Sequence, residues 1–127
     1  MSQQNDSGFK DFEADAAVEL YDRVKMDADG KITKAGLTDK SIGTATRAAL
    51  AAGERITIKL RSAPGTHKVR VSEAVAAGAI LYSEADGEVQ DTAQATSFME
   101  GTALEASAAA NDVIEFLYNN AGDTAAS

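Results

Sequence analysis

The chain contains two copies of one sequence unit. Ala-Asp-Gly-Lys-Ile at 28–32 recurs as Ala-Asp-Gly-Glu-Val at 85–89, which separates Gly30 from Gly87 by 57 residues (87 − 30). Gly-Thr-Ala at 43–45 recurs at 101–103, 58 residues later (101 − 43), so one inserted residue explains the difference in spacing. An extended solenoid generally needs three or more units to bury its core. A long repeat present only twice therefore predicts a single domain with an internal pseudo-twofold relation.

Composition restricts the class of protein. With 127 residues, one proline and no cysteine, we expect one domain without disulfides or thiolate metal sites. Twelve basic against twenty acidic residues give a net charge of −8, which disfavours nucleic acid and anionic membranes as partners. The same charge also fits solubility alone or a high-salt environment. Since no apolar run approaches about 20 residues and the N-terminus lacks a signal-peptide pattern, we expect a soluble protein made in the cytoplasm.

Hydrophobic periodicity predicts an all-β fold. Apolar and polar residues alternate through 55–60 and 67–71, and Asp29-Gly30 and Asp86-Gly87 suit tight hairpin turns. We predict two similar β units packed as one pseudo-twofold β-barrel or sandwich, with short helical turns in the alanine-rich stretches. We predict a flexible N-terminal arm at 1–11 and a flexible C-terminal tail at 121–127. Between them we predict a single β domain at 12–120, with repeat one at 12–62 and repeat two at 67–118.

The two copies differ on the face opposite their core. In the last strand of each unit the core positions are apolar in both copies: Ile56, Ile58 and Leu60 in the first, Ile114, Phe116 and Tyr118 in the second. The opposite positions are charged in the first copy and apolar in the second, pairing Arg23 with Ile80, Lys25 with Tyr82, Arg55 with Val113 and Lys59 with Leu117. The asymmetry predicts a self-association surface made of Ile80, Tyr82, Val113 and Leu117. Packing of these side chains under a terminus or a loop remains the alternative.

Motifs for catalysis or metal binding are incomplete. The segment 25–36 resembles a calcium-binding loop, but Lys25 and Gly36 stand where that loop requires acidic ligands, so a hairpin turn is the better interpretation. His67 is the single histidine and has no identifiable nucleophile or orienting partner, so we expect an ordinary histidine on the surface or at a strand end. The glycines are too widely spaced for a phosphate-binding loop. We therefore expect no catalytic, cofactor-binding or metal-binding residues and no enzymatic activity.

The order of these segments resembles that of the capsid cement, or decoration, proteins of tailed phages. The resemblance lies in 16–24, 29–32, 42–45 and 52–58 of the first copy, and in 75–81, 101–104 and 112–116 of the second. The first copy departs from the pattern where it has Tyr21-Asp22 and the second copy has Gly78-Ala79. The resemblance implies a mostly β structural protein without catalytic residues. It also implies a location on the outer surface of an assembled head, bridging subunits of the major capsid protein, often as a trimer.

From the apolar surface and this resemblance we expect a homotrimer, with dimer and monomer left open. Because the N-terminal segment is too polar to fold alone and runs into Phe9 and Phe12, we also expect a capsid-binding arm that includes Phe9, Lys10 and Phe12, with a disordered tail of no consequence as the alternative. Two other functions remain open from the residues. One is a small-ligand or glycan-binding β domain. The other is a carrier domain with a covalent group on Lys25, which is disfavoured because Lys25 is not at the tip of the Asp29-Gly30 turn.

Overall fold

A computed structural model describes residues 7–118 and contains two five-stranded antiparallel sheets. The first sheet consists of β1 (Phe9–Glu13), β2 (Arg23–Met26), β3 (Ile32–Lys34), β4 (Gly43–Ala45) and β5 (Arg55–Leu60), in the order β1-β5-β4-β2-β3. The second consists of β6 (His67–Arg70), β7 (Ile80–Ser83), β8 (Val89–Gln90), β9 (Met99–Ala103) and β10 (Val113–Tyr118), in the order β6-β10-β9-β7-β8. Each strand of the first sheet has a counterpart at the same place in the second. The predicted all-β fold of two similar units is confirmed.

The correspondence extends to the irregular backbone between the strands. Tyr21 adopts a left-handed φ of 68°, and Gly78, its counterpart 57 residues later (78 − 21), has a φ of 85°. The turn before the second strand is thus the same in both repeats, although the first copy has a tyrosine where a glycine would be unstrained. Asn111 and Gly53 form another such pair, with φ values of 70° and 93°.

Each repeat has its own apolar core. The core of the first repeat contains Phe12, Ala14, Val18, Val24, Ile32, Ala45, Ala49, Ile56 and Ile58, with Ile42 and Leu60 packed against it. The core of the second contains Val69, Val71, Val75, Leu81, Val89, Ala103, Ile114, Phe116 and Tyr118. The alternating side chains of β5 and β10 supply the central residues of both cores, as their period of two predicts.

Several boundaries differ from the prediction. Phe9, Lys10 and Asp11, assigned to the arm from sequence, belong to β1, which pairs with β5, and Phe12 lies in the first core with 8 % of its surface exposed. Residues 1–6 of the predicted arm and all of the predicted tail lie outside the described residues.

The alanine-rich segments form turns and bends, and the short helical turn is instead at Ala85–Gly87. Within 7–118, no helix has the length and apolar character needed to cross a bilayer.

Candidate functional site

The contact between the repeats is centred on a buried ion pair. Arg23 of β2 and Glu100 of β9 both have fully buried side chains, and a terminal nitrogen of the guanidinium lies 3.4 Å from the Glu100 carboxylate. Arg23 also donates hydrogen bonds to the carbonyl oxygens of Glu88, at 2.9 Å, and Glu84, at 2.7 Å. Its guanidinium thus joins the first repeat to three places in the second. The sequence pattern placed Arg23 on a solvent-facing surface, and this is wrong because the second repeat covers that position.

Further polar groups surround Glu100. The hydroxyl of Ser41 donates to its carboxylate at 2.6 Å, and Arg61 lies 3.5 Å from the other carboxylate oxygen. Ser41 also shares a hydrogen bond of 3.1 Å with the hydroxyl of Tyr118, whose ring lies 5.0 Å from the Arg61 guanidinium carbon. Burial raises the pKa of Tyr118, and the negative charge of Glu100 adds to this effect. The Tyr118 hydroxyl therefore keeps its proton.

A second charged cluster joins the repeats at Asp22. This carboxylate is fully buried and is hydrogen-bonded to Arg70 of β6, while the Glu19 amide donates to it at 2.9 Å. Arg70 also lies 3.0 Å from the Glu19 carboxylate, and Lys34 lies 3.7 Å from Asp22. Burial raises the pKa of Asp22, and the hydrogen bonds from Arg70 and from the Glu19 amide oppose that shift. Buried charged pairs need specific geometry, so both clusters fix the orientation of one repeat against the other.

His67 begins β6 and is buried at the same contact. Its Nε2 lies 2.9 Å from the carbonyl oxygen of Leu60, which makes Nε2 the protonated donor nitrogen in the neutral ring. The imidazole packs edge-on against Tyr118, with ring centroids 4.7 Å apart. Burial lowers the pKa of His67, and the nearby charge of Lys59 acts in the same direction. Sequence analysis placed His67 at a strand end or on the surface; it is at a strand end but buried.

A small cleft lies between the repeats. Its volume is about 230 Å³, and it is lined by Tyr21, Thr44, Ala45, Thr46, Lys59, Thr66, His67, Lys68 and Glu115. Sites for small organic ligands usually enclose about 300–1,000 Å³ and are lined mainly by apolar and aromatic side chains. The cleft is smaller and lined largely by threonine and charged residues, so it gives no support to the small-ligand alternative.

The calcium-like segment forms a hairpin turn with an acidic cluster. Carboxylate oxygens of Asp15, Asp27 and Asp29 lie within 4.8 Å of one another. Asp27 accepts hydrogen bonds from the backbone amides of Asp29, at 2.9 Å, and Lys31, at 3.0 Å, which closes the turn between β2 and β3. The neighbouring carboxylates of Asp15 and Asp27 compete for a shared proton, which raises the pKa of Asp15 and lowers that of Asp27. Sequence analysis did not anticipate Asp15 here, because it precedes the turn by twelve residues (27 − 15).

The predicted self-association residues lie on one face of the second sheet. Ile80 of β7 is opposite Thr102 of β9, which is opposite Leu117 of β10, so the three side chains form one row. Ile80 and Leu117 expose 46 % and 49 % of their surface. Tyr82 is half-buried at one end of this face, and Val113, 41 % exposed, lies four residues from Leu117 (117 − 113) at the other end. The structure thus brings Ile80 and Leu117 together and separates Val113 from them.

Other exposed apolar residues were not predicted to take part in self-association. Leu104 directly follows β9 and is 44 % exposed, and its amide donates to the carbonyl oxygen of Glu115, two residues before Leu117 in β10. In the first repeat, Phe9 of β1 is 42 % exposed, with Lys59 5.8 Å from its ring centre, and Met26 of β2 is 44 % exposed. A comparison of the two repeats would have identified Met26 and Leu104 as unusual apolar positions, since their counterparts Ser83 and Thr46 are polar.

The fold occurs in a protein of a phage head. No family model matches the chain, and no curated protein matches it. Among solved structures, the N base of the head fiber gp8.5 of bacteriophage phi29 matches with a TM-score of 0.71 over 87 % of this chain and 92 % of that chain. The two chains share a fold. Their sequences are 16 % identical, so the likeness concerns the architecture.

Proposed function

We propose that this chain is a structural protein of a phage head. The observation that carries the proposal is the agreement, over nearly the whole of both chains, between this fold and the base of a phage head fiber. The resemblance of the repeat units to phage capsid cement proteins supports it from the sequence. Fold alone does not determine function, but here the fold and the sequence pattern indicate the same structural role.

The specific role that we propose is decoration of the assembled shell. The protein, as a homotrimer, binds the outer surface of the head and bridges neighbouring subunits of the major capsid protein. A ligand that binds only the assembled state stabilises that state by mass action, without any chemical step. Two cores held in a fixed orientation by buried ion pairs provide a rigid body for such bridging, and both sheets keep apolar residues on their surfaces for contacts.

Binding to purified heads tests this proposal. Expanded heads that lack a decoration protein are mixed with the chain, bound protein is quantified after sedimentation, and shell melting is followed by calorimetry. We expect saturable binding and a higher melting temperature of the shell. Unassembled major capsid protein serves as the control and should bind much less. Absence of both binding and a melting shift would refute the decoration role.

A further inference from the structure

The two repeats contact each other through non-equivalent surfaces. The first repeat uses a surface that we call the leading face, which contains Arg23, Ser41, Thr46 and Lys59. The second repeat uses a trailing face, which contains Thr66, Ser83, Glu100 and Tyr118. A twofold contact would bury the counterpart of Arg23 equally, but Arg23 is 0 % exposed and its counterpart Ile80 is 46 % exposed. The contact is thus head-to-tail, although the two folds are the same.

A head-to-tail contact leaves one face of each kind exposed at the ends of the pair. The leading face of the second repeat carries Ile80, Met99, Leu104 and Leu117. The trailing face of the first repeat carries Phe9, Met26, Ile42 and Leu60. Among the described residues, eight large apolar side chains are exposed, and five of them lie on these two faces: Phe9, Met26, Ile80, Leu104 and Leu117. The exposed apolar residues are therefore concentrated on the surfaces that the intrachain contact leaves open.

The two open faces also match each other at several positions. Three polar contacts between the repeats have apolar pairs as their counterparts on the open faces, whereas the Asp22–Arg70 pair corresponds to Ala79 and Glu13. Arg23–Glu100 corresponds to Ile80–Ile42, and Ser41–Tyr118 corresponds to Met99–Leu60. The third contact, in which Lys59 Nζ donates to the backbone carbonyl of Thr66, corresponds to Leu117 and Phe9. If only one of the two open faces had become apolar, charged side chains would lie opposite apolar ones at these three positions. Both faces are apolar there, which indicates that they pack against each other.

We propose that the leading face of the second repeat binds the trailing face of the first repeat in another copy of this chain. The contact would have the same geometry as the contact between the two repeats within one chain, with apolar instead of ionic pairs. Head-to-tail contacts continue from chain to chain and form a ring when the rotation closes. A trimeric ring would contain six repeats in alternation. This self-association requires only the chain itself and does not depend on binding to a head.

Exchange of residues between the repeats tests the contact. One variant combines Ile80→Arg with Leu117→Lys, and the other combines Phe9→Thr with Met26→Ser, so each position receives the residue of its counterpart. We expect the unmodified chain to form oligomers at micromolar concentrations in native mass spectrometry and each variant alone to be monomeric. When the two variants are mixed, the unchanged leading face of one can bind the unchanged trailing face of the other. The mixture should therefore form dimers that contain one molecule of each variant. A twofold contact would give no such mixed dimer.

Cysteine cross-linking keeps the test decisive if a variant fails to fold. The natural chain contains no cysteine, so Phe9→Cys with Leu117→Cys introduces a single pair that should form disulfides between chains on mild oxidation. Phe9→Cys with Val113→Cys is the matched control, because Val113 is 41 % exposed but its counterpart Arg55 is not at the intrachain contact. Selective cross-linking of the first pair supports the proposal. Equal cross-linking of both pairs, or a chain that stays monomeric up to millimolar concentration, overturns it.

Discussion

Arg23 illustrates how a charged residue can determine the arrangement of two apolar cores. A buried guanidinium is stable only when its charge and its donors are satisfied. Here the carbonyl oxygens of Ala35 and Gly36 in the first repeat accept hydrogen bonds from it, while the counter-charge of Glu100 and the carbonyl oxygens of Glu84 and Glu88 come from the second repeat. The ion pair therefore stabilises the native structure only when the repeats are correctly oriented, and loss of one partner leaves the other charge buried.

The first prediction concerns this ion pair. Arg23→Ile should lower the free energy of unfolding by about 3–5 kcal/mol, because it leaves Glu100 buried without its main counter-charge. The double variant Arg23→Ile with Glu100→Ile copies the apolar pair of the open faces and should recover part of this loss. Urea denaturation measures the free energy of unfolding of both variants. Lys25→Ala, which removes an ion pair with Asp39 at 3.1 Å that is about one-third exposed, should cost less than about 1 kcal/mol.

The second prediction concerns pH. The pKa of His67 is lowered from 6.5 in the folded protein, so the unfolded chain binds a proton more readily. Its contribution to stability should be complete above pH 6.5 and should decline as the pH falls from 6.5 toward the lower pKa of the folded state. His67→Gln can keep the hydrogen bond to Leu60 without titrating. The free energy of unfolding of this variant, measured from about pH 8 to about pH 5, should depend less on pH than that of the natural chain. Identical slopes would show that His67 does not contribute.

Sequence alone could not place Arg23 or Glu100 correctly. A period of two tells which residues share a face of a strand, but it does not tell what covers that face. Arg23 alternates with the core residue Val24 and therefore points away from the core of its own repeat, as predicted. Its burial results from the second repeat, whose contacting residues Glu84 and Glu100 lie 61 and 77 residues further along the chain and leave no periodic signal.

At the scale of strands, two glycines fix the approach of neighbouring strands. Gly43 of β4 and Gly101 of β9 occupy equivalent positions, and a Cβ atom on either would lie less than 3.0 Å from a backbone oxygen of the last strand, that of Lys59 or Leu117. Such a clash involves backbone atoms and cannot be relieved by a side-chain rotation. Both repeats thus require glycine at this point for the same steric reason.

The third prediction follows from these glycines. Gly101→Ala should destabilise the protein by about 1–3 kcal/mol, because the strands must move apart to accommodate the methyl group. Gly36→Ala is the control, since the φ of Gly36 lies outside the left-handed region and the added Cβ would meet a side-chain atom, of Asp39 at 3.2 Å, instead of backbone. Thermal unfolding followed by circular dichroism compares the two variants. Equal melting temperatures would contradict the steric explanation.

The strands that could be predicted are those with clear alternation. β5 and β6 alternate through their full lengths and lie where the sequence indicates, and β10 lies where the chain is rich in strand-forming residues. β1 was missed in part because Phe9 and Phe12 are three residues apart and so point to opposite faces, with Phe9 exposed and Phe12 in the core. The alanine-rich segments have helical propensity but end at Gly53 and Asn111, whose left-handed φ values turn the chain directly into the next strand.

At the scale of the whole molecule, the repeat is the property best predicted from sequence and the contact between repeats is the least predictable. Aligning the copies identifies Ile80 and Leu117 as unusual apolar positions, and the structure places both in one row. The same alignment selects Val113, which lies away from that row because only the three-dimensional packing shows which face each repeat presents to its neighbour. The two repeats are symmetric in topology, whereas their contact is directional.

Two copies of one fold in a chain also raise the question of how assembly avoids wrong pairings. A leading face of a first repeat placed on the trailing face of another first repeat would set Arg23 against Ile42, and the guanidinium would be buried without a carboxylate. The converse error, between two second repeats, would set Glu100 against Ile80. In the proposed assembly, the buried ion pair would therefore favour contacts of a charged face with a charged face and of an apolar face with an apolar face. The short connection from Leu60 to His67 keeps the charged contact within one chain, so the residues that hold the two repeats together would also prevent incorrect contacts between chains.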